Sequence, residues 1–237
     1  NPAAVLMLEV AGDSIQDAEH QADALISTLE THNFGYAHPK VVGKKIQGIH
    51  ELRKAGLGAL GSLVGDSKAV ACIEDTAVSL KDLPSFIKDF TAMMDEFNQQ
   101  AVYYAHAGAG EIHLRPILNL KKKSDVKLFR DITTRVAKLV KKYKGSLSGE
   151  HGDGIVRAEF IPMMIGNKNY QLLKELKEVF DPNYIFNKGK IITPFKMDEN
   201  LRYQVGRKEP VIKTFLDFSD NEGILKLAEQ CNGSGDC

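Results

Sequence analysis

Residues 101–107 (AVYYAHA) and 111–118 (EIHLRPIL) are two β-patterned runs with only Gly108-Ala109-Gly110 between them. A link that short joins antiparallel neighbours, because parallel strands need a crossover of a dozen or more residues. A purely parallel, doubly wound sheet is therefore excluded. Helical and strand patterns alternate on either side of this hairpin. The fold class that accommodates both is α+β: a mainly antiparallel sheet with helices packed on it.

The remaining elements follow from periodicity. Residues 3–10 are almost wholly apolar and predict a buried strand. Ser14 with Asp17 gives a capping pattern, and Ile15, Ala18, Ala22, Leu25, Ile26 and Leu29 follow at helical spacing to about residue 32. A short strand is expected at 36–42, a helix at 44–59 loosened by Gly48, Gly56 and Gly58, and a strand at 69–73. Pro84 opens a helix whose stripe is Phe86, Ile87, Phe90, Met93, Met94 and Phe97. Ser124 is expected to cap a helix bearing Phe129, Ile132, Val136, Leu139, Val140 and Tyr143. A further helix covers 168–180 and stops before Pro182. Residues 196–210 are polar and read as a linker, with a strand at 212–218 and a short helix at 224–228 to follow.

Composition removes several function classes. Of 237 residues, Lys and Arg number 31 and so do Asp and Glu, so nothing favours nucleic acid or an anionic membrane as partner. No apolar run is long enough for a transmembrane segment. Cys72 is remote from Cys231 and Cys237, which argues against a disulfide scaffold and for a reducing, cytoplasmic setting, with peripheral membrane attachment left open.

Three places can carry chemistry. In His106-Ala-Gly-Ala-Gly-Glu-Ile-His113, a hairpin symmetric about Ala109 and Gly110 would pair His106 directly with His113. Cross-strand partners share a face with Cβ atoms about 4.5–5.5 Å apart, so both imidazoles would reach one divalent cation, such as Zn. The bland alternative is two ordinary histidines beside a Gly turn. Ser148-Gly-Glu-His-Gly-Asp-Gly154 sets Glu150 beside His151, a hard oxygen ligand next to a base that titrates near neutrality. Alone it reads equally as a polar surface turn. Arg53 is a helix arginine suited to clamping a carboxylate, and Arg115, two residues past His113, shares that residue's strand face and offers the same service.

Five segments in order carry a resemblance: 51–56 (ELRKAG), 74–83 (EDTAVSLKDL), 106–114 (HAGAGEIHL), 148–157 (SGEHGDGIVR) and 180–191 (FDPNYIFNKGKI). Together they resemble the C-terminal cap or substrate domain of FAD-linked oxidases of the vanillyl-alcohol-oxidase-like group, in its glycolate oxidase, D-lactate and D-2-hydroxyglutarate dehydrogenase branch. The stretch 231–237 (CNGSGDC) is similar to the junction where such oxidases are fused to an iron–sulfur module.

The resemblance implies roles. His106, His113 and Glu150 would bind a divalent metal. His151 would act as the base near flavin and substrate, Arg53 would hold the substrate carboxylate, and Asn187 would lie near the flavin. The fold would comprise ferredoxin-like subdomains, with residues 1–195 as the cap domain and 196–237 as a linker and the start of an iron–sulfur region. FAD would be held mainly by an N-terminal domain of the same polypeptide, and a downstream iron–sulfur cluster would carry electrons onward. The substrate would be a D-2-hydroxy acid, oxidised to the 2-oxo acid. The sequence departs from the resembled pattern at Ala109 and Glu111, where Asp and Asn are common, at Ile73, where some relatives carry a Lys anchor, and at Lys188, where Pro is common. The missing Met and the final Cys237 read as the cut ends of a domain excised from a longer protein. Two rival readings use the same residues: a metal-dependent hydrolase, and a non-catalytic cap or interaction domain.

Overall fold

The structure is a computed structural model that describes residues 2–231. They form two compact units, one up to Gly56 and the other from Leu57 on. In the first, α1 (Ile15–Thr31) starts where the capping pattern put it, with Ser14 Oγ accepting from the Asp17 amide at 3.1 Å. Lys40 pairs with Asp23 at 2.6 Å and ties the following coil back to α1. Helix α2 (Lys45–Gly61) begins in this unit. The strands expected at 3–10 and 36–42 are absent, and Val5 and Leu6 are more than two-thirds exposed. A strand is a pairing rather than a property of one segment, and no described residue offers these runs a ladder.

The second unit is built on one central strand. β4 (Glu111–Leu118) pairs antiparallel with β1 (Lys68–Ala69), β2 (Ile73–Ala77) and β3 (Ala101–His106). The α+β expectation is met, with every strand pairing antiparallel. Strand period 2 gives β4 two unlike faces. Ile112, Leu114 and Leu118 point into a core shared with α3 (Leu83–Glu96) and α4 (Lys123–Lys142). Phe86, Phe90, Met93 and Met94 of α3 are buried there, as the stripe predicts, with Phe129, Ile132, Val136 and Val140 of α4. Each such side chain contributes about 1.5–3 kcal/mol on burial. The other face of β4 carries Glu111, His113 and Arg115.

Some boundaries differ from expectation. The 69–73 run is broken by a turn at Ala71–Cys72, so it supplies the ends of β1 and β2 and not one strand. Helix α4 is capped at Lys122, and Ser124 sits inside its first turn, bonded to Asp125. Asp125 in that turn accepts the Asn119 amide at 2.8 Å and so ties the incoming chain to the helix. A five-residue helix, α5 (Ile161–Ile165), precedes α6 (Asn167–Phe180). Residues 196–210 have no helix or strand but are anchored: Met197 is in the core, and Asp198 accepts from Arg130 Nε at 2.7 Å. No strand forms at 212–218, and α7 (Ile224–Ala228) closes the described fold. Past Cys231, the 231–237 stretch lies outside the described residues.

A bulge in β2 positions the loop that carries Glu150. The register to β4 slips by one between Ile73 and Thr76, and Asp75 there takes φ +72. Bulges re-aim side chains, and Asp tolerates the left-handed region better than most residues. The fully buried Asp75 carboxylate accepts from Ser148 Oγ at 2.6 Å, the Glu150 amide at 2.6 Å and the His151 amide at 3.0 Å, and faces Arg157 Nη2 at 3.3 Å. Its backbone carbonyl accepts from the Gly149 amide at 2.6 Å. Against the upward push of burial, these hydrogen bonds and the Arg157 charge hold the Asp75 carboxyl below the usual carboxylate range.

That arrangement makes a prediction. The folded carboxyl titrates below the unfolded one, so its stabilisation is present above the unfolded value of about 3.9 and is lost as pH falls through the folded value. Asp75→Asn leaves Arg157 buried without its counter-charge. Chemical denaturation at neutral pH should show a loss of about 3–5 kcal/mol, with faster amide exchange at Glu150 and His151. The deficit should shrink as the buffer is taken below pH 4. A variant as stable and as protected as the parent would overturn this role.

Candidate functional site

The hairpin register differs from the symmetric expectation. His106 lies opposite Glu111 and Tyr104 opposite His113, because the connection spans residues 107–110. The shift is two residues, so no side chain changes face. His106 and His113 become diagonal neighbours, with ring centroids 5.4 Å apart. Tyr104 packs against both rings, at 6.0 and 5.3 Å.

The Ser148–Gly154 loop closes over this face. Ser146 and Ala77 exchange two backbone hydrogen bonds of 2.9 Å, which fasten the loop to β2. Gly149 lets the loop approach the hairpin closely: a Cβ there would be tight, 3.2 Å from both Ala77 Cβ and Glu111 Cγ. Asp75 then fixes the Glu150 and His151 amides. The result is a convergence on Glu150 Oε1, with His151 Nε2 at 3.2 Å, His113 Nε2 at 3.5 Å and His106 Nε2 at 3.6 Å. The His113 and His151 rings stack at 5.2 Å and 13°. Donor atoms of His106, Glu111, His113 and Glu150 all lie within 4.8 Å of one another.

The electrostatics of the cluster are uneven. Arg115 donates from Nε to Glu74 Oε2 at 2.7 Å, and Arg157 faces Asp75. Among the described residues no Lys or Arg ion-pairs with Glu111 or Glu150; their charged neighbours are histidines. Glu111 is buried, and neither carboxylate oxygen accepts a hydrogen bond; His113 Nδ1 is in the same condition. Burial first, then the charges of Glu150 and Asp75, push the Glu111 carboxyl up to about 7. Burial also lowers His113, which keeps its imidazole neutral and its lone pair available. Buried groups without hydrogen bonds are few in native proteins and call for an explanation. Two imidazoles and two carboxylates with no Lys or Arg counter-charge are a donor set that suits a divalent cation of the first transition row.

The structure thus brings His106, His113, Glu150 and His151 together. Arg115 lies beside them, engaged by Glu74, whose other oxygen is 4.0 Å from His151 Nδ1. Asn187 stands apart on the segment after α6, with φ +47 and Oδ1 accepting from Lys190 at 3.4 Å. Arg53 is on α2 in the first unit. Three residues were not singled out from the sequence. Glu111 had a visible signal, two positions before His113 and hence on the same strand face. Glu74 and Asp75 had only their place at the head of the 74–83 segment, because a one-residue bulge leaves no mark on hydrophobic patterning.

The chain matches the family described as FAD linked oxidases, C-terminal domain, over residues 1–191. Relatives named D-2-hydroxyglutarate dehydrogenase include one from Haemophilus influenzae, 33% identical over 98% of this chain and 23% of that protein. Another, from Pseudomonas putida, is 32% identical over the same shares. A glycolate oxidase subunit of Bacillus subtilis is 25% identical over 60% of this chain and 29% of its own length. The chain therefore spans about a quarter of the length of the relatives it matches. No helix among the described residues is long and apolar enough to cross a membrane. With a match over most of its length and relatives at about 30% identity across nearly all of it, the chain belongs to the C-terminal domain family of FAD-linked oxidases.

Proposed function

We propose that this chain is the metal- and substrate-binding domain of a flavin-dependent oxidoreductase that converts a D-2-hydroxy acid to its 2-oxo acid. The observation that carries the reading is the convergence of three imidazole Nε2 atoms on Glu150 Oε1 beside the buried, uncompensated Glu111. The relatives' names support the substrate class, since 2-hydroxyglutarate and glycolate are both 2-hydroxy acids.

In this reading His106, His113 and Glu150 hold a divalent cation, with Zn one suitable ion. When bound, that cation supplies Lewis-acid polarisation of a substrate hydroxyl, and the flavin supplies the two-electron acceptor. His151 takes the hydroxyl proton. Its side chain is half exposed, and its ring is steadied by stacking on His113. Arg53 anchors the substrate carboxylate. Arg115 assists only to the extent that Glu74 releases it. Asn187 borders the flavin, which an upstream domain of the same polypeptide largely holds. Residues 1–195 make up the cap domain, and 196–237 lead into an iron–sulfur module that accepts the electrons. A cytoplasmic location follows from the cysteine usage.

Two measurements test this on the full-length polypeptide. In the first, 2-hydroxy acids are titrated while the visible spectrum is recorded. Bleaching of the flavin is expected, and His151→Ala should slow it by about 10²–10⁴-fold; an undiminished rate would remove His151 from the role of base. The second is elemental analysis, in which near-stoichiometric metal is expected and Glu150→Gln should lose most of it. No bound metal, with Glu150→Gln silent in turnover, would favour the non-catalytic cap. Metal-dependent hydrolysis without flavin reduction would favour the hydrolase.

A further inference from the structure

We infer that Glu111 is a positioning residue for the metal centre, acting through His113: its carboxylate accepts the His113 Nδ1 proton and so turns the bare Nε2 toward Glu150 and His106. The inference rests on the metal-centre reading proposed above. Its basis is three buried atoms without hydrogen bonds, Glu111 Oε1, Glu111 Oε2 and His113 Nδ1, two of which lie within hydrogen-bond distance but are not aligned until the imidazole turns. Glu111 Oε1 lies 3.2 Å from His113 Nδ1, while Nε2 on the opposite edge of the ring lies 3.5 Å from Glu150 Oε1. A carboxylate is acceptor-only, so one tautomer alone satisfies the first pair: proton on Nδ1, lone pair on Nε2. That is the tautomer a cation held by Nε2 requires. A carboxylate behind a ligating histidine fixes its ring and raises its basicity.

The surroundings keep Glu111 in that place. It is 5% exposed on the central strand, and its stem is covered by Gly149, where a side chain would crowd Glu111 Cγ. Gly149 is in turn bonded through its amide to the Asp75 carbonyl. The loop that presents Glu150 and the strand that presents His113 are therefore registered against each other at Glu111. The direct-ligand alternative places the charge of Glu111 itself on the cation, and the two roles respond differently to removal of that charge.

The test uses the full-length polypeptide stripped of metal and titrated with Mn²⁺, with the free ion read by electron paramagnetic resonance. Glu111→Leu, which removes the acceptor, should weaken binding about 10–100-fold. Glu111→Gln keeps an oxygen acceptor without the charge and should lose clearly less affinity than the Leu variant, with the same bound-Mn²⁺ spectrum. Gln as weak as Leu would overturn the inference in favour of direct ligation, and unchanged binding by Leu would overturn it outright. Thermal melting of the metal-free variants checks folding. Should the Leu variant not fold, Glu111→Asp, which retracts the carboxylate by one methylene, must show the loss instead, and parent-like binding would overturn the inference. His106→Ala and Glu150→Gln probe the underlying reading separately. If both bind Mn²⁺ like the parent, the metal centre itself fails; if both lose it while Glu111→Leu does not, only the role of Glu111 fails.

Discussion

One buried carboxylate organises the candidate site. Asp75 sits in a bulge, in a backbone conformation few side chains accept, and spends its oxygens on a serine hydroxyl, two backbone amides and an arginine. Those amides belong to Glu150 and His151. A loop rich in glycine has many conformations to lose on folding, and a single fixed acceptor removes most of that freedom where geometry matters. Without it the Ser148–Gly154 loop would rest on backbone bonds, the Arg157 contact to the Gly152 carbonyl and the packing at Gly149.

The charges around Asp75 divide into two groups. Arg157 compensates Asp75, and Arg115 compensates Glu74. Among the described residues, the ion-pair partners of Glu111 and Glu150 are histidines. Glu111 is buried beside the half-exposed Glu150, and a buried carboxylate next to another either has its pKa raised or recruits a cation. Burial and the neighbouring carboxylates push the Glu111 carboxyl up, and the donor atoms around it suit a divalent cation.

Much of the fold was legible in advance because it depends on periodicity. The apolar stripes of α3 and α4, the Ser14 cap of α1 and the 101–118 hairpin are local patterns, and each element forms close to where the pattern put it. The failures share a cause. Residues 3–10 have strand composition but no partner among the described residues, and 36–42 and 212–218 fail in the same way. Ser124 matched a cap by type, yet the helix is capped at Lys122, where the incoming chain is tied down by the bond from the Asn119 amide to Asp125.

For the site, the sequence by itself determined the chemistry available: two histidines on one strand face, a Glu-His pair in a glycine loop, and a family pattern linking them. That much survives a two-residue change of register, because strand faces repeat every two residues. Tertiary structure decided which groups share a charge. Glu74 and Asp75 reach the site through a bulge, Arg115 turns to Glu74, and Glu111 becomes a buried neighbour of His113 when Gly149 closes over it. The pairings of Glu74 with Arg115 and of Asp75 with Arg157 join segments about 40 to 80 residues apart, and burial makes them strong by removing the water that would otherwise screen them. Neither effect is written into a local pattern.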